Sequence, residues 1–194
     1  MIRLSLLALC LLLISSPLSA QREAPPEGVE LGPAQQIMSP EQAIREIFSR
    51  GLTSRRDTLH LSLARIDSLQ QILHRPIQDT TVIVRRLYRN NSLTGYAVIT
   101  NEYGKYRPIT MLVGVNPDFS VRGVRILVYR ENRGGEVKRK RFLYQYRGMT
   151  TEDPIRINRD IINISGATIS VRGVNSGVRK VLNLLEMLYG GSTP

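Results

Sequence analysis

Residues 81–131 read TVIVRRLYRNNSLTGYAVITNEYGKYRPITMLVGVNPDFSVRGVRILVYRE, and their rhythm decides the fold. β-Branched and aromatic residues recur with a period of two in "TVIVRRLYR" (81–89), "LTGYAVITNEYG" (93–104), "YRPITMLVGVN" (106–116) and "VRGVRILVYRE" (121–131). Such runs read as strands of a half-buried sheet. The links between them are short, and "NPDFS" (116–120) sets Pro and Asp where a tight turn favours them. Strands this close along the chain pair antiparallel.

Helical patterns flank the strands. In "SPEQAIREIF" (39–48) Ser39 reads as an N-cap and Pro40 as the first-turn residue. Ala43, Ile44, Ile47 and Phe48 fall on one face. A second helix is expected over roughly 66–74, ended before Pro76, and "KRKRFLYQYRG" (138–148) reads as helical. Toward the end, Val171, Val174, Val178, Val181, Leu185 and Leu188 recur at steps of three and four, opposite Arg172, Asn175, Arg179, Asn183 and Glu186. This predicts a long amphipathic helix stopped by Gly190-Gly191. The expected fold class is α+β, an antiparallel sheet packed with helices. Its expected parts are a leader over 1–20, a flexible Pro- and Gly-rich lead over 21–35, a helical prelude over 36–80, and one domain over 81–194.

The leader "MIRLSLLALCLLLISSPLSA" has one basic residue, an apolar run and a small-residue end, the pattern of a cleaved secretory signal. An uncleaved anchor is the alternative, although the run is short for a membrane span. The mature chain is expected outside the cytoplasm, in the periplasm or beyond. Cys10 is the only cysteine, so the mature chain has no thiolate, disulfide or Fe–S chemistry to offer. His60 and His74 are the only histidines, which gives a transition-metal site little to work with. The net charge is +11. For an exported chain that charge favours anionic cofactors, lipid headgroups or acidic proteins over nucleic acid. The run Lys138–Arg141 reads first as a solvated basic face, with contact to an anionic membrane surface as the alternative.

Ahead of the last helix stands "SGATIS" (165–170). Ser165, Thr168 and Ser170 bring hydroxyls to a helix start, while Gly166 and Ala167 leave the backbone open to close approach. A helix N-terminus attracts phosphate, and Ser or Thr there is also the usual cap. The spacing alone leaves both readings open.

The motif resembles the flavinylation motif of the FMN-binding domain family, which includes the flavin-carrying subunits of the sodium-translocating NADH:quinone reductase and the Rnf complex. The resemblance extends over 81–189 and includes "ENRGGEV" (131–137). It implies FMN joined to Thr168 through a phosphoester made by a dedicated flavin transferase, on a turn formed by Ser165, Gly166 and Ala167. It further implies that Glu131, Asn132, Arg133, Gly134 and Gly135 lie near the flavin. Lys105 and Tyr106, with Tyr103, would line the ring or simply pack in a turn. No side chain need act as acid or base, so the chain reads as an electron carrier serving a membrane-bound redox partner and not as a stand-alone enzyme. One position departs from the family pattern. Ile162 stands where an acidic residue usually precedes the motif by three positions, and the nearest acid is Asp160. Two readings follow: covalent FMN on Thr168, or a binding or adaptor module of the same fold that takes FMN noncovalently or not at all.

Overall fold

The structure, a computed structural model, describes residues 33–191. The leader, Cys10 and most of the 21–35 lead lie outside the described residues. Six strands form one sheet: β1 (Gln35–Gln36), β2 (Thr53–His60), β3 (Thr81–Arg89), β4 (Ser92–Tyr103), β5 (Pro108–Val115) and β6 (Val121–Tyr129). Their order across the sheet is β1-β6-β5-β4-β3-β2, and every pairing is antiparallel. The four alternating runs are β3 to β6, as the period of two predicts.

β2 is a correction to the helical prelude. The segment TSRRDTLH pairs with β3 along its whole length, from Thr53↔Tyr88 to His60↔Thr81. It lies at the sheet edge with mostly exposed side chains, so no strong apolar alternation announces it. Charged side chains on an edge strand also discourage pairing with other chains. β1 is the second unforeseen strand, closing the opposite edge with Gln35 at the end of the expected flexible lead.

α1 (Pro40–Phe48) begins with a capping box. The Ser39 hydroxyl accepts from the Gln42 N–H at 3.2 Å, and the Gln42 side chain accepts from the Ser39 N–H at 2.9 Å. Its Ala43 and Phe48 pack on Leu87, Ala97, Leu112 and Leu127, one face of the sheet. The other face carries α2 (Leu63–Leu73) and α4 (Thr168–Tyr189). α4 seals the main core, placing Val171, Val174, Val178, Val181, Leu182 and Leu185 in one cluster with Val98, Ile109, Met111 and Val113. Each such side chain, fully buried, contributes roughly 1.5–3 kcal/mol before entropy is subtracted. α4 is therefore a rigid mount.

The segment after β6 is helical in short pieces: a 3-10 turn over Gly135–Lys138, α3 (Lys140–Leu143), and a second 3-10 turn over Tyr144–Tyr146. Tyr146 anchors it from within the core. Its hydroxyl donates to Asn175 Oδ1 of α4 at 2.5 Å, and Asn175 Nδ2 donates to the Ile155 carbonyl at 3.0 Å. These bonds fasten the long loop before α4 to the helix it feeds. Among the described residues, no helix is long and apolar enough to cross a membrane.

Candidate functional site

The N-terminal end of α4 faces the loop after β6 and the turn between β4 and β5. Three chain segments distant in sequence therefore meet. Their shared cavity, about 630 Å³, is lined by Lys105, Tyr106, Glu131, Asn132, Arg133 and the run Gly166–Ser170. Gly134, Gly135 and Ser165 line an adjoining cleft with Lys138 and Arg139. Every residue named as a candidate from the sequence except Tyr103 thus lies in one of two neighbouring hollows, and Asn132, Arg133 and Gly166 border both.

The hydroxyls divide into different roles. Thr168 is the first residue of α4, and the N-cap is Ala167, with no side-chain capping bond. Thr168 is therefore not a cap. Its Oγ1 instead accepts a hydrogen bond from Asn163 Nδ2 at 3.0 Å, and Asn163 Oδ1 is buried without a hydrogen-bond partner. Ser170 turns inward: its Oγ lies 2.9 Å from the Tyr129 hydroxyl, which donates to the Arg133 carbonyl at 2.5 Å. This chain ties α4, β6 and the glycine loop together. Burial pushes the Tyr129 hydroxyl above its ordinary pKa, so it remains a proton donor throughout the neutral range.

Gly134 explains the close fit of the loop. Its φ is +77°, and a Cβ there would lie 2.6 Å from Ser170 Oγ and 3.1 Å from the Tyr129 hydroxyl. Gly166 also has φ +77°, yet a Cβ there would meet nothing within 4 Å. The turn needs glycine for its backbone angle, and the space above it is open to a ligand.

Glu131 is spent on architecture. Its Oε1 accepts from the Tyr106 N–H at 2.6 Å and the Arg107 N–H at 2.9 Å, fixing the β4–β5 turn as one wall of the cavity. Lys105 Nζ lies 4.8 Å from the centre of the Tyr106 ring. Tyr103 is 43% exposed at the end of β4 and does not line the cavity. Against the carboxylates Glu131 and Glu136, the four cations Lys105, Arg133, Lys138 and Arg139 leave the two hollows with a positive excess. The first-turn N–H groups of α4 point to the same end. A phosphate with an apolar ring system suits this donor set, and the cavity volume falls in the range of small-molecule sites.

Sequence reasoning missed Asn163, Tyr129 and a third hollow on the far side of Thr168, where Arg156, Arg172 and Arg179 gather. No pattern marks Asn163, since it reaches Thr168 by the bend of an irregular loop. Ile162 is 76% exposed. Asp160 does not substitute for an acid there, because its Oδ2 accepts from the Arg156 N–H at 2.9 Å within its own turn. Among the described residues, no group of three or more His, Cys, Asp or Glu is placed to hold a metal ion.

Comparison with known proteins bears directly on this end of the molecule. Residues 104–183 match the model of the FMN-binding domain family. Among solved structures, NqrC of Shewanella oneidensis aligns with a TM-score of 0.52 and 17% identity, covering 76% of this chain and 86% of that one. At that identity the likeness is one of fold. No curated protein matches the chain. The matched segment contains the glycine loop, the Ser165–Thr168 turn and most of α4: residues 104–183 are similar to the FMN-binding domain family, and that match supports FMN as the cofactor.

Proposed function

We propose that this chain is an exported electron carrier whose FMN is joined covalently to Thr168. The observation that carries the reading is the state of the Thr168 hydroxyl. Thr168 opens a rigid helix and borders the 630 Å³ cavity, and its hydroxyl does no capping work. A phosphoester at Oγ1 would place the phosphate beside the first-turn N–H groups and the surrounding cations. The isoalloxazine ring, when present, supplies the redox chemistry. The protein's part is to hold the phosphate, wall the ring with the Gly104–Arg107 turn, and keep the Tyr129–Ser170 bond intact beneath it. Attachment makes sense outside the cytoplasm, where a dissociated cofactor would be lost, because it turns binding into an intramolecular event.

The leader sequence supports export, and a flavin transferase is the maturation partner this reading requires. A membrane-bound redox protein is the proposed electron partner. The second reading, a module that holds FMN noncovalently or not at all, is favoured by one observation: Ile162 stands exposed where the family pattern places an acid.

Co-expression with a flavin transferase separates the two. Fluorescence that survives a denaturing gel, with a mass gain of FMN less water absent from Thr168→Ala, establishes covalent attachment. Unmodified mass in the wild-type chain, with flavin released on denaturation, sinks the covalent reading and leaves the noncovalent one.

A further inference from the structure

The sheet forks between β3 and β4, and the fork forms a further hollow. The β3–β4 ladder runs from Arg89↔Ser92 to Val84↔Val98 and stops there. β3 nevertheless begins at Thr81, and β4 continues to Tyr103. Beyond the stop each arm keeps only its outer neighbour. Ile83, Val82 and Thr81 pair with Thr58, Leu59 and His60 of β2. Ile99, Thr100 and Asn101 pair with Leu112, Met111 and Thr110 of β5. The two arms face each other across a cavity of about 370 Å³ that they both line.

The chemistry of the slot changes with depth. Its floor is apolar, made by Leu61, Leu69, Ile77, Val181 and Leu184. Beside it Lys180 is already neutralised, 2.7 Å from Glu102 Oε1 and 2.8 Å from Asp79 Oδ2. Thr100 lines the slot at 5% exposure, and its Oγ1, which has almost no accessible surface, has no hydrogen-bond partner. A buried hydroxyl left unpaired costs about 1–3 kcal/mol, which a ligand oxygen would recover once Thr100 turns about χ1 toward the slot. At the mouth Ile83 and Ile99 are each 40% exposed, with Arg56 and Arg85 alongside. Arg85 shares Glu41 at 3.2 Å, whereas Arg56 makes no ion pair among the described residues.

We propose that this fork binds a flat aromatic acid bearing an oxygen opposite its carboxylate, a small phenolic acid. The ring slides between the two strand arms onto the apolar floor. The carboxylate meets Arg56 and Arg85 at the mouth, and the phenol meets Thr100 Oγ1 at depth. The slot faces the C-terminal half of α4. Thirteen residues of helix separate Val181 from Thr168, about 20 Å along the axis. The site is thus distinct from the flavin site and does not depend on it.

Calorimetric titration of the full chain with 4-hydroxyphenylacetate, phenylacetate and tyrosol tests the proposal. The expected result is saturable binding of 4-hydroxyphenylacetate. Phenylacetate, which lacks the phenol, and tyrosol, which lacks the carboxylate, should each bind about tenfold more weakly. Thr100→Val should abolish the preference for the phenol, with a thermal melt confirming its fold. Arg56→Gln, an exposed change, should weaken both acids and leave tyrosol unaffected. Thr168→Ala should bind all three as the wild type does. No saturable binding up to about 10 mM, or a ligand preference unchanged in both Thr100→Val and Arg56→Gln, overturns the proposal.

Discussion

At the scale of single residues, the proposed covalent attachment rests on which hydroxyl is free to react. Thr168, Ser170 and Ser165 look alike in the sequence, but Ser170 is bonded to Tyr129 and only Thr168 is held by a side-chain amide. Asn163 is therefore a positioning residue, fixing where Oγ1 lies relative to the cavity. Its buried Oδ1 without a partner is a cost of order 1–3 kcal/mol, which suits a residue kept for placement over stability. Asn163→Ala removes that cost together with the bond. It should melt no lower than the wild type, while the rate of flavin attachment in a transferase assay falls about tenfold or more. A normal attachment rate in a folded Asn163→Ala chain would show that Thr168 needs no such holder. The residue scale was also the least legible in the sequence. "SGATIS" marked the turn and the helix start, but a spacing argument cannot see a bond made by Asn163 across an irregular loop.

At the scale of elements, α4 is held against the sheet by its small residues. Gly173 shows how close the approach is, since a Cβ there would lie 2.8 Å from the Tyr103 carbonyl oxygen. In an exposed helix, Gly to Ala gains about 1 kcal/mol. Here the added methyl meets backbone, which cannot swing aside, and overpacking costs about 1–3 kcal/mol. Gly173→Ala should therefore lower stability by about 1–2 kcal/mol in urea unfolding. Because Tyr103 closes β4 just before the Lys105–Tyr106 wall, flavin retention should weaken with it. The elements themselves were largely readable: β3 to β6 from their period of two, α1 from its capping box, and α4 from its three-and-four spacing. β2 was not, because TSRRDTLH owes its extended state to Tyr88–Thr81 beside it and not to its own pattern. The same dependence on partners hides the fork, since nothing in "TVI" or "ITN" says that two neighbouring arms part.

At the scale of the whole molecule, the end of α4 far from the flavin site is fastened by one carboxylate. Asp57 on β2 receives Arg86 of β3, with Nη2 donating to Oδ1 at 3.0 Å and Nε 2.7 Å from Oδ2. It also accepts from the Tyr189 hydroxyl at the last residue of α4, at 2.8 Å. The Tyr189 ring stacks on Tyr96 with centroids 5.1 Å apart, and Tyr96 stacks on Phe119 at 5.9 Å. Sheet edge, core and helix end are joined through this contact. Burial works to raise the Asp57 pKa, yet the Arg86 and Tyr189 bonds outweigh it and hold the carboxyl below its ordinary 3.8. Glu46 is likewise held down, by Arg125 and Lys140. A carboxyl depressed in the folded state binds its proton less readily than in the unfolded chain. Its stabilisation is complete above the ordinary pKa and is lost as the pH falls toward the native value. Acid unfolding should therefore steepen below about pH 4, where Asp57 adds a slope of at most about 1.4 kcal/mol per pH unit. Asp57→Asn should be less stable than the wild type at pH 7, because Arg86 loses its counter-charge, and the gap should narrow as the pH drops toward 3. Chemical denaturation at pH 7, 5, 4 and 3 reads this directly. A gap that stays constant across that range would mean that the clamp acts through packing of Tyr189 alone and not through the charge on Asp57.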